Sequence, residues 1–181
     1  MPRLRGRFGR EYLYVESTPS TQLLLAADAP EGAVAVAGEQ TAGRGRLGRR
    51  WLAPAGTSLL CSVQLVPNVD PQRLPELTGV AAHAATDAIE AVTGLVSEIK
   101  EPNDLLLGGR KVAGVLAEAR EDRVVLGIGI NVNIPKGELP TGIATSLLVE
   151  TGRETDRAEL LVELLDRLER HYDEWLSAER G

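Results

Sequence analysis

Gly43-Arg44-Gly45-Arg46-Leu47-Gly48-Arg49-Arg50-Trp51 is the stretch on which the reading of this chain turns. Its first six residues satisfy G-x-G-x-x-G, the pattern that opens a helix beneath a dinucleotide pyrophosphate and implies a doubly wound parallel sheet. The residues that follow decide otherwise. Pro54 and Gly56 come within a few positions, and the next regular segment, 57–66, is a largely apolar run of strand length. With no helix on the glycines the dinucleotide reading fails, and no Walker sequence replaces it. A disordered Arg-Gly segment binding RNA is the second alternative, but those are normally repetitive, and here one short copy sits between two strands. The remaining reading is a ligand loop. Glycine lets backbone N–H groups approach a ligand, and arginine presents a planar fork of donors suited to carboxylate and phosphate.

Working outward, residues 12–15 read as a first strand, and Thr18-Pro19-Ser20-Thr21 offers helix-start chemistry ahead of a short helix over 23–29. A small-residue strand over 33–38 leads into the arginine loop. Apolar residues at 74, 77, 80, 81, 84, 85, 88, 89 and 92 have helical spacing and predict a helix over 71–92. Segments 96–99, 105–107, 111–119 and 123–132 read as consecutive strands, with Gly108-Gly109 as a hairpin loop and Glu121-Asp122 in a second turn. Leu160, Leu161, Leu164, Leu165, Leu168, Tyr172 and Trp175 form the stripe of a final helix. Strands in runs with helices to the side predict an α+β fold: a mixed, mainly antiparallel sheet flanked by helices, in one domain over 1–181.

The net charge of −6 and pI near 5.1 argue against general nucleic-acid binding, so the local basicity points to a site. Cys61 is alone, which excludes an intramolecular disulfide and fits a reducing compartment. No apolar run approaches membrane-spanning length and no signal-peptide core follows Met1, so the expected location is the cytoplasm. Arg3, Arg5, Arg7 and Arg10 read as a solvated basic tail, His83 and His171 as structural or surface residues, and Cys61 as a small core hydrophobe. The Asp and Glu residues show no metal-ligand spacing.

The arginine loop resembles the GRGRxGRxW signature of the biotin protein ligase (biotin–acetyl-CoA-carboxylase ligase) family. Lys100-Glu101-Pro102-Asn103-Asp104-Leu105-Leu106-Leu107 is similar to that family's KWPNDLLL segment. Lys111-Val112-Ala113-Gly114-Val115-Leu116 resembles its KxAGIL strand, and Gly127-Ile128-Gly129-Ile130-Asn131-Val132-Asn133 its GIGINVN strand. Ser20-Thr21 matches an ST pair before the first helix. The five motifs keep order and spacing over nearly the whole chain.

The resemblance implies the biotin/lipoate ligase catalytic fold, which is like that of class II aminoacyl-tRNA synthetases. It also implies a two-step reaction in which biotin and ATP, with accompanying Mg²⁺, give biotinyl-5′-AMP, and a lysine of a biotin carrier domain of acetyl-CoA carboxylase or a related enzyme then attacks it. It assigns biotin to Ser20, Thr21, Gln22, Gln40, Gly43, Arg44, Gly45, Arg46, Lys111 and Gly114. Nucleotide falls to Arg44, Arg46, Trp51, Asn103, Lys111 and Asn131, with Lys111 and Arg46 as the catalytic charges and no metal held by the protein itself. Relatives in this family include dimers. Neither the winged helix for DNA binding nor the C-terminal β-barrel carried by many members is expected here, so no DNA partner is expected. Glu101 departs from the family by replacing a tryptophan with a carboxylate. The competing functions are a lipoate or octanoyl ligase on the same fold and a biotin-binding relative without turnover.

Overall fold

A computed structural model describes residues 4–178. Seven strands form one mixed sheet: β1 (Tyr12–Thr18), β2 (Val34–Gln40), β3 (Ser58–Leu65), β4 (Glu98–Lys100), β5 (Asp104–Leu107), β6 (Arg110–Arg120) and β7 (Arg123–Asn131). Their spatial order is β1-β2-β3-β7-β6-β5-β4, with β1 parallel to β2 and every other pair antiparallel. Helices α1 (Leu77–Thr93), α2 (Leu147–Thr151) and α3 (Arg157–Ser177) complete the regular structure. This is the α+β arrangement that the strand runs predict.

Strand alternation explains which face is packed. Ala113 and Val115 of β6 stand opposite Ile130 and Ile128 of β7, and all four join the core with α1 and α3. Their neighbours Gly114 and Leu116 pair with Gly129 and Gly127 and turn to the other face. An isoleucine–glycine alternation in β7 thus builds a dense layer on one side and a bare floor on the other. Against the dense side, Ala81, Ala84, Ala85 and Ala88 let α1 approach closely, while the leucine stripe of α3 ends in buried Tyr172 and Trp175.

Three local expectations change, and one helix was not foreseen. The segment 23–29 is not a helix: only a single 3₁₀ turn, Thr21–Leu23, forms. A stretch so short cannot repay helix nucleation, and Pro30 follows at once. The region 71–92 is divided, with a 3₁₀ turn over Pro71–Glu76 before α1, because Pro75 has no N–H for a continuous helical ladder. Helix α2, capped by Ser146 Oγ accepting from the Val149 N–H, is too short to carry a readable apolar period. Arg5 and Arg7 of the basic N-terminal segment are docked rather than solvated, while Arg10 stays exposed and Arg3 lies outside the described residues. Backbone N–H groups of Arg7 and Phe8 donate to Glu169 Oε2 at 2.8 and 3.0 Å, Arg5 pairs with Glu163 at 2.7 Å, and the Phe8 ring packs on Tyr172 with centroids 5.9 Å apart.

The Arg7 guanidinium holds the Asp173 carboxyl below its usual range, chiefly through a direct hydrogen bond and also by its charge. A carboxylate with a depressed native pKa contributes stability that is present above its unfolded value and is lost as pH falls through the folded one. Wild type is therefore expected to lose thermal stability below about pH 4 more steeply than Asp173→Asn. Unfolding midpoints measured from pH 7 to pH 3 check this; parallel curves would remove the strap's ion pair as a source of acid sensitivity.

Candidate functional site

The bare face of the sheet is the floor of a half-open cleft. Its lining draws on Ser20, Thr21, Gln22 and Gln40 at one end, Arg44, Gly45, Arg46, Arg49, Arg50 and Trp51 from the arginine loop, and Asn103, Asp104, Lys111 and Gly114 at the other end. Gly127 and Gly129 complete the floor. The lack of side chains there is required: a Cβ on Gly129 would lie 2.7 Å from Trp51 Cε2, one on Gly114 3.0 Å from Trp51 Cζ3, and one on Gly127 2.6 Å from Gln22 Nε2. Trp51 therefore lies flat on β6 and β7.

The polar end is tightly wired. Gln40 Oε1 accepts from the Thr21 N–H at 2.8 Å and from the Thr21 hydroxyl at 3.1 Å, while Thr21 Oγ1 and Ser62 Oγ lie 2.8 Å apart. Gln22 Nε2 donates to the Leu116 carbonyl at 3.1 Å, leaving its own Oε1 buried without a partner. Trp51 Nε1 is likewise buried and unpartnered. Buried polar atoms are normally satisfied, so an orphan donor and an orphan acceptor in one cleft fit a ligand that both accepts and donates.

At the other end the Lys111 ammonium lies 2.7 Å from Asp104 Oδ1 and 5.5 Å from the centroid of the Trp51 ring. Its backbone is pinned on the outer side, where Lys111 N–H donates to the Ile143 carbonyl and Lys111 C=O accepts from Thr145 N–H, both at 2.8 Å. Asn103 donates through Nδ2 to the Val115 carbonyl and accepts from the Val115 N–H through its own carbonyl, fixing the turn that carries Asp104. The Glu101–Pro102 peptide in that turn is cis, and Glu101 is exposed, outside the lining of the cleft, in a neighbouring groove that Arg46 also borders.

The arginine loop folds on itself. Gly45 N–H donates to the Arg49 carbonyl at 2.7 Å, Trp51 N–H to the Gly43 carbonyl at 3.0 Å, and Arg44 and Arg50 form an isolated bridge. Leu47 at its tip has φ 58° and is 88% exposed. Arg44 makes a solvent-facing pair with Glu118 at 3.2 Å, and Arg50 donates to the Thr41 carbonyl.

Most of the residues singled out by sequence meet in this cleft; two do not line it. Gly43 sits at the base of the loop with its carbonyl engaged by Trp51 and borders the loop's outer side. Asn131, only 2% exposed, donates to the Thr145 carbonyl at 3.0 Å and lies beyond the cleft, although its Oδ1 has no partner. Conversely, sequence reasoning placed Asp104 in the KWPNDLLL-like segment without giving it a role and passed over Ser62, Arg49 and Arg50 as site residues. The register of β5 and β6 sets Asp104 opposite Gly114 and Lys111 opposite Leu106, with a shift between Leu105 and Leu106, so the Asp104–Lys111 pair is a diagonal contact that no spacing rule discloses. Cys61 is buried beneath the floor, with its thiol pushed up to about 12 by burial, so it is an inert wall rather than a nucleophile.

Residues 14–134 match the Biotin/lipoate A/B protein ligase family. The chain is 40% identical over 181 residues to the bifunctional ligase/repressor BirA of Bacillus spizizenii, an alignment covering 93% of this chain and 56% of that protein. It therefore spans little more than half of that relative's length. It is 38% identical to the biotin–[acetyl-CoA-carboxylase] ligase of Mycobacterium tuberculosis, with 96% and 68% covered. Among solved structures, the biotin protein ligase from Aquifex aeolicus in complex with biotin and ATP superposes with a TM-score of 0.84 at 35% identity, covering 93% of this chain and 72% of that one. Among the described residues no helix is long and apolar enough to cross a membrane.

Proposed function

Because this chain belongs to the biotin/lipoate A/B protein ligase family and aligns with the catalytic domains of biotin protein ligases, we propose that it joins biotin to ATP and passes the biotinyl group to a lysine of a biotin carrier domain. The observation that carries this reading is the single cleft holding a hydrogen-bonding end, a flat apolar floor and a cationic end in one line. A cyclic urea needs donors and acceptors together, which Ser20, Thr21, Gln22 and Gln40 supply. The Trp51 indole, seated on Gly114 and Gly129, offers an apolar wall suited to an apolar ring and chain. The other end of the molecule is a carboxylate that must meet a phosphate, so two anions have to be held in contact.

Lys111, Arg44 and Arg46 offset that repulsion. A carboxylate oxygen attacks the α-phosphorus, pyrophosphate leaves with the bridging electrons, and the cations carry the charge that builds on the phosphoryl oxygens. The Asp104 carboxylate keeps the Lys111 ammonium in place before the anions arrive. Mg²⁺ enters with ATP as part of the substrate and adds further charge neutralisation on the phosphates. In the second step the carrier amine attacks the acyl carbon and AMP departs. The arginine loop covers the mixed anhydride and keeps water from it meanwhile. No nucleophile of this chain takes part.

The test is biotin-dependent ATP–pyrophosphate exchange with lipoate as a competing acid. Exchange that requires biotin and ignores lipoate supports the proposal. Exchange driven by lipoate would move the chain to the lipoyl branch, and biotin binding with no exchange would leave a binding protein.

The glycine floor makes a graded prediction. Gly129→Ala places a methyl against the Trp51 indole, and overpacking of this kind costs about 1–3 kcal/mol. The half-saturating biotin concentration should rise roughly tenfold or more, with far-ultraviolet circular dichroism unchanged. An unaltered biotin dependence would show that Trp51 moves aside freely and that the floor does not shape the ligand.

A further inference from the structure

Lys111 reaches the cleft against the alternation of its own strand. Ala113 and Val115 of β6 face the core and Gly114 faces the cleft, so strict alternation would turn residue 111 to the core as well. The pairing with β5 removes the conflict. Leu105 stands opposite Ala113 but Leu106 stands opposite Lys111, so Val112 is an extra residue in β6. Val112 and Ala113 are both fully buried in the core, and the change of phase between them sends Lys111 out to the cleft beside Asp104. A bulge of this kind re-aims a side chain but interrupts the ladder that holds its backbone.

The other flank of Lys111 carries the compensation. Strand β7 ends at Asn131, and residues 143–145 take its place beside Lys111, with Ala144 in an isolated parallel bridge to it. The Thr145 N–H donates to the Lys111 carbonyl at 2.8 Å, and the Thr145 hydroxyl donates to Glu150 Oε1. The same carboxylate oxygen accepts from Arg110 Nη2 at 2.6 Å, and Arg110 precedes Lys111 in the strand. These contacts close a ring from the Arg110 guanidinium through Glu150, the Thr145 hydroxyl and the Thr145 N–H to the Lys111 carbonyl. Thr145 is wholly buried, and its carbonyl accepts from Asn131 Nδ2 at 3.0 Å. Helix α2 does not need Glu150 as a cap, since Ser146 Oγ already accepts from the Val149 N–H.

We propose that Thr145 and Glu150 are positioning residues for the Lys111 ammonium: they brace the bulged strand from behind and so fix where the charge stands in the cleft. This rests on the reading of Lys111 as the main charge in adenylate formation. Neither residue lines the cleft, so each acts through the lysine. A carboxylate meeting a phosphate tolerates little displacement of the cation that holds them, and misplacement by about 1 Å can cost ~10²-fold in rate. Asp104 restrains the ammonium at its tip, while Thr145 and Glu150 restrain the backbone from which the side chain springs. Arg110 supplies the charge that keeps Glu150 turned toward Thr145.

The test compares Thr145→Val, Thr145→Ser and Glu150→Gln in the full chain. Thr145→Val keeps the shape and the N–H but removes the hydroxyl, so kcat for biotin-dependent pyrophosphate exchange should fall about tenfold with the KM for biotin nearly unchanged. Thr145→Ser keeps the hydroxyl and should restore most of the rate. In a Lys111→Ala background Thr145→Val should cost nothing further. A second readout needs no turnover. The chain has three lysines, Lys100, Lys111 and Lys136, so lysine-selective NMR resolves each, and Lys111 lies over the Trp51 ring with its ammonium 5.5 Å from the centroid. Its ring-current shift should shrink in Thr145→Val and return in Thr145→Ser. Glu150→Gln, at a less buried position, should move rate and signal the same way to a smaller extent, and it decides the matter should Thr145→Val not fold. An unchanged Lys111 signal in these variants overturns the proposal. So does an undiminished kcat where Lys111→Ala is slow, or an equal further loss in the Lys111→Ala background. A Lys111→Ala enzyme as fast as wild type instead removes the reading beneath the proposal, which then falls with it whatever the Thr145 variants do.

Discussion

Lys111→Ala should slow biotin-dependent ATP–pyrophosphate exchange by ~10²–10³-fold, the usual cost of removing one donor aimed at charge that develops in a transition state. In the proposed reaction the ammonium is held on the sheet by Asp104, whereas Arg44 and Arg46 sit on a loop whose Arg44 pairs with Glu118 in solvent. Loss of Lys111 also strands the Asp104 carboxylate, now 2.7 Å from an ammonium, beside two incoming anions. The double variant Lys111→Ala/Asp104→Asn should therefore be less impaired than the product of its single changes, because neighbours that share one interaction are not additive. Asp104→Asn alone keeps the lysine charge but loosens its position, so the fall should appear in kcat more than in the KM for biotin. The measurement is exchange kinetics for the three variants. A Lys111→Ala enzyme within a few-fold of wild type would remove this lysine from the chemistry, and strictly multiplicative effects would uncouple the pair.

The second large effect concerns stability. Phe8→Ala should destabilise the fold by about 3–5 kcal/mol, the range for emptying a buried aromatic position. Phe8 is 1% exposed, packs on Tyr172, and lies under the Arg7 guanidinium at 5.1 Å from the ring centroid. Its backbone N–H and that of Arg7 both terminate on Glu169. The strap thus closes the core against α3, and the change should lower the denaturation midpoint without changing the exchange rate per folded molecule, since Phe8 lies outside the cleft lining. Urea unfolding followed by the fluorescence of Trp51 and Trp175 reads the first quantity. A loss of less than about 1 kcal/mol would mean the strap contributes little beyond local order.

The sequence was sufficient for the strands and for the irregular loop that carries the arginines. Period-two apolar runs, the Gly108-Gly109 turn and the α3 stripe are local signals, set by neighbours within a few positions. So is the failure of the dinucleotide reading, which rests on Pro54 and Gly56. The residue types of the cleft were legible for the same reason: each motif carries its own glycines and charges. Tertiary structure alone decided what those motifs do to one another. The parallel turn of β1 onto β2, the Asp104–Lys111 pair, the Thr21–Gln40–Ser62 network and the seat of Trp51 on Gly114 and Gly129 join residues far apart in the chain. The N-terminal arginines taught the same lesson in reverse. A run of basic residues looks like a solvated tail until α3, more than a hundred and fifty positions later, presents Glu163, Glu169 and Asp173 to receive it. Composition and period are properties of a segment, but a partner is a property of the register and packing that bring segments together, and only the folded sheet and helices supply those.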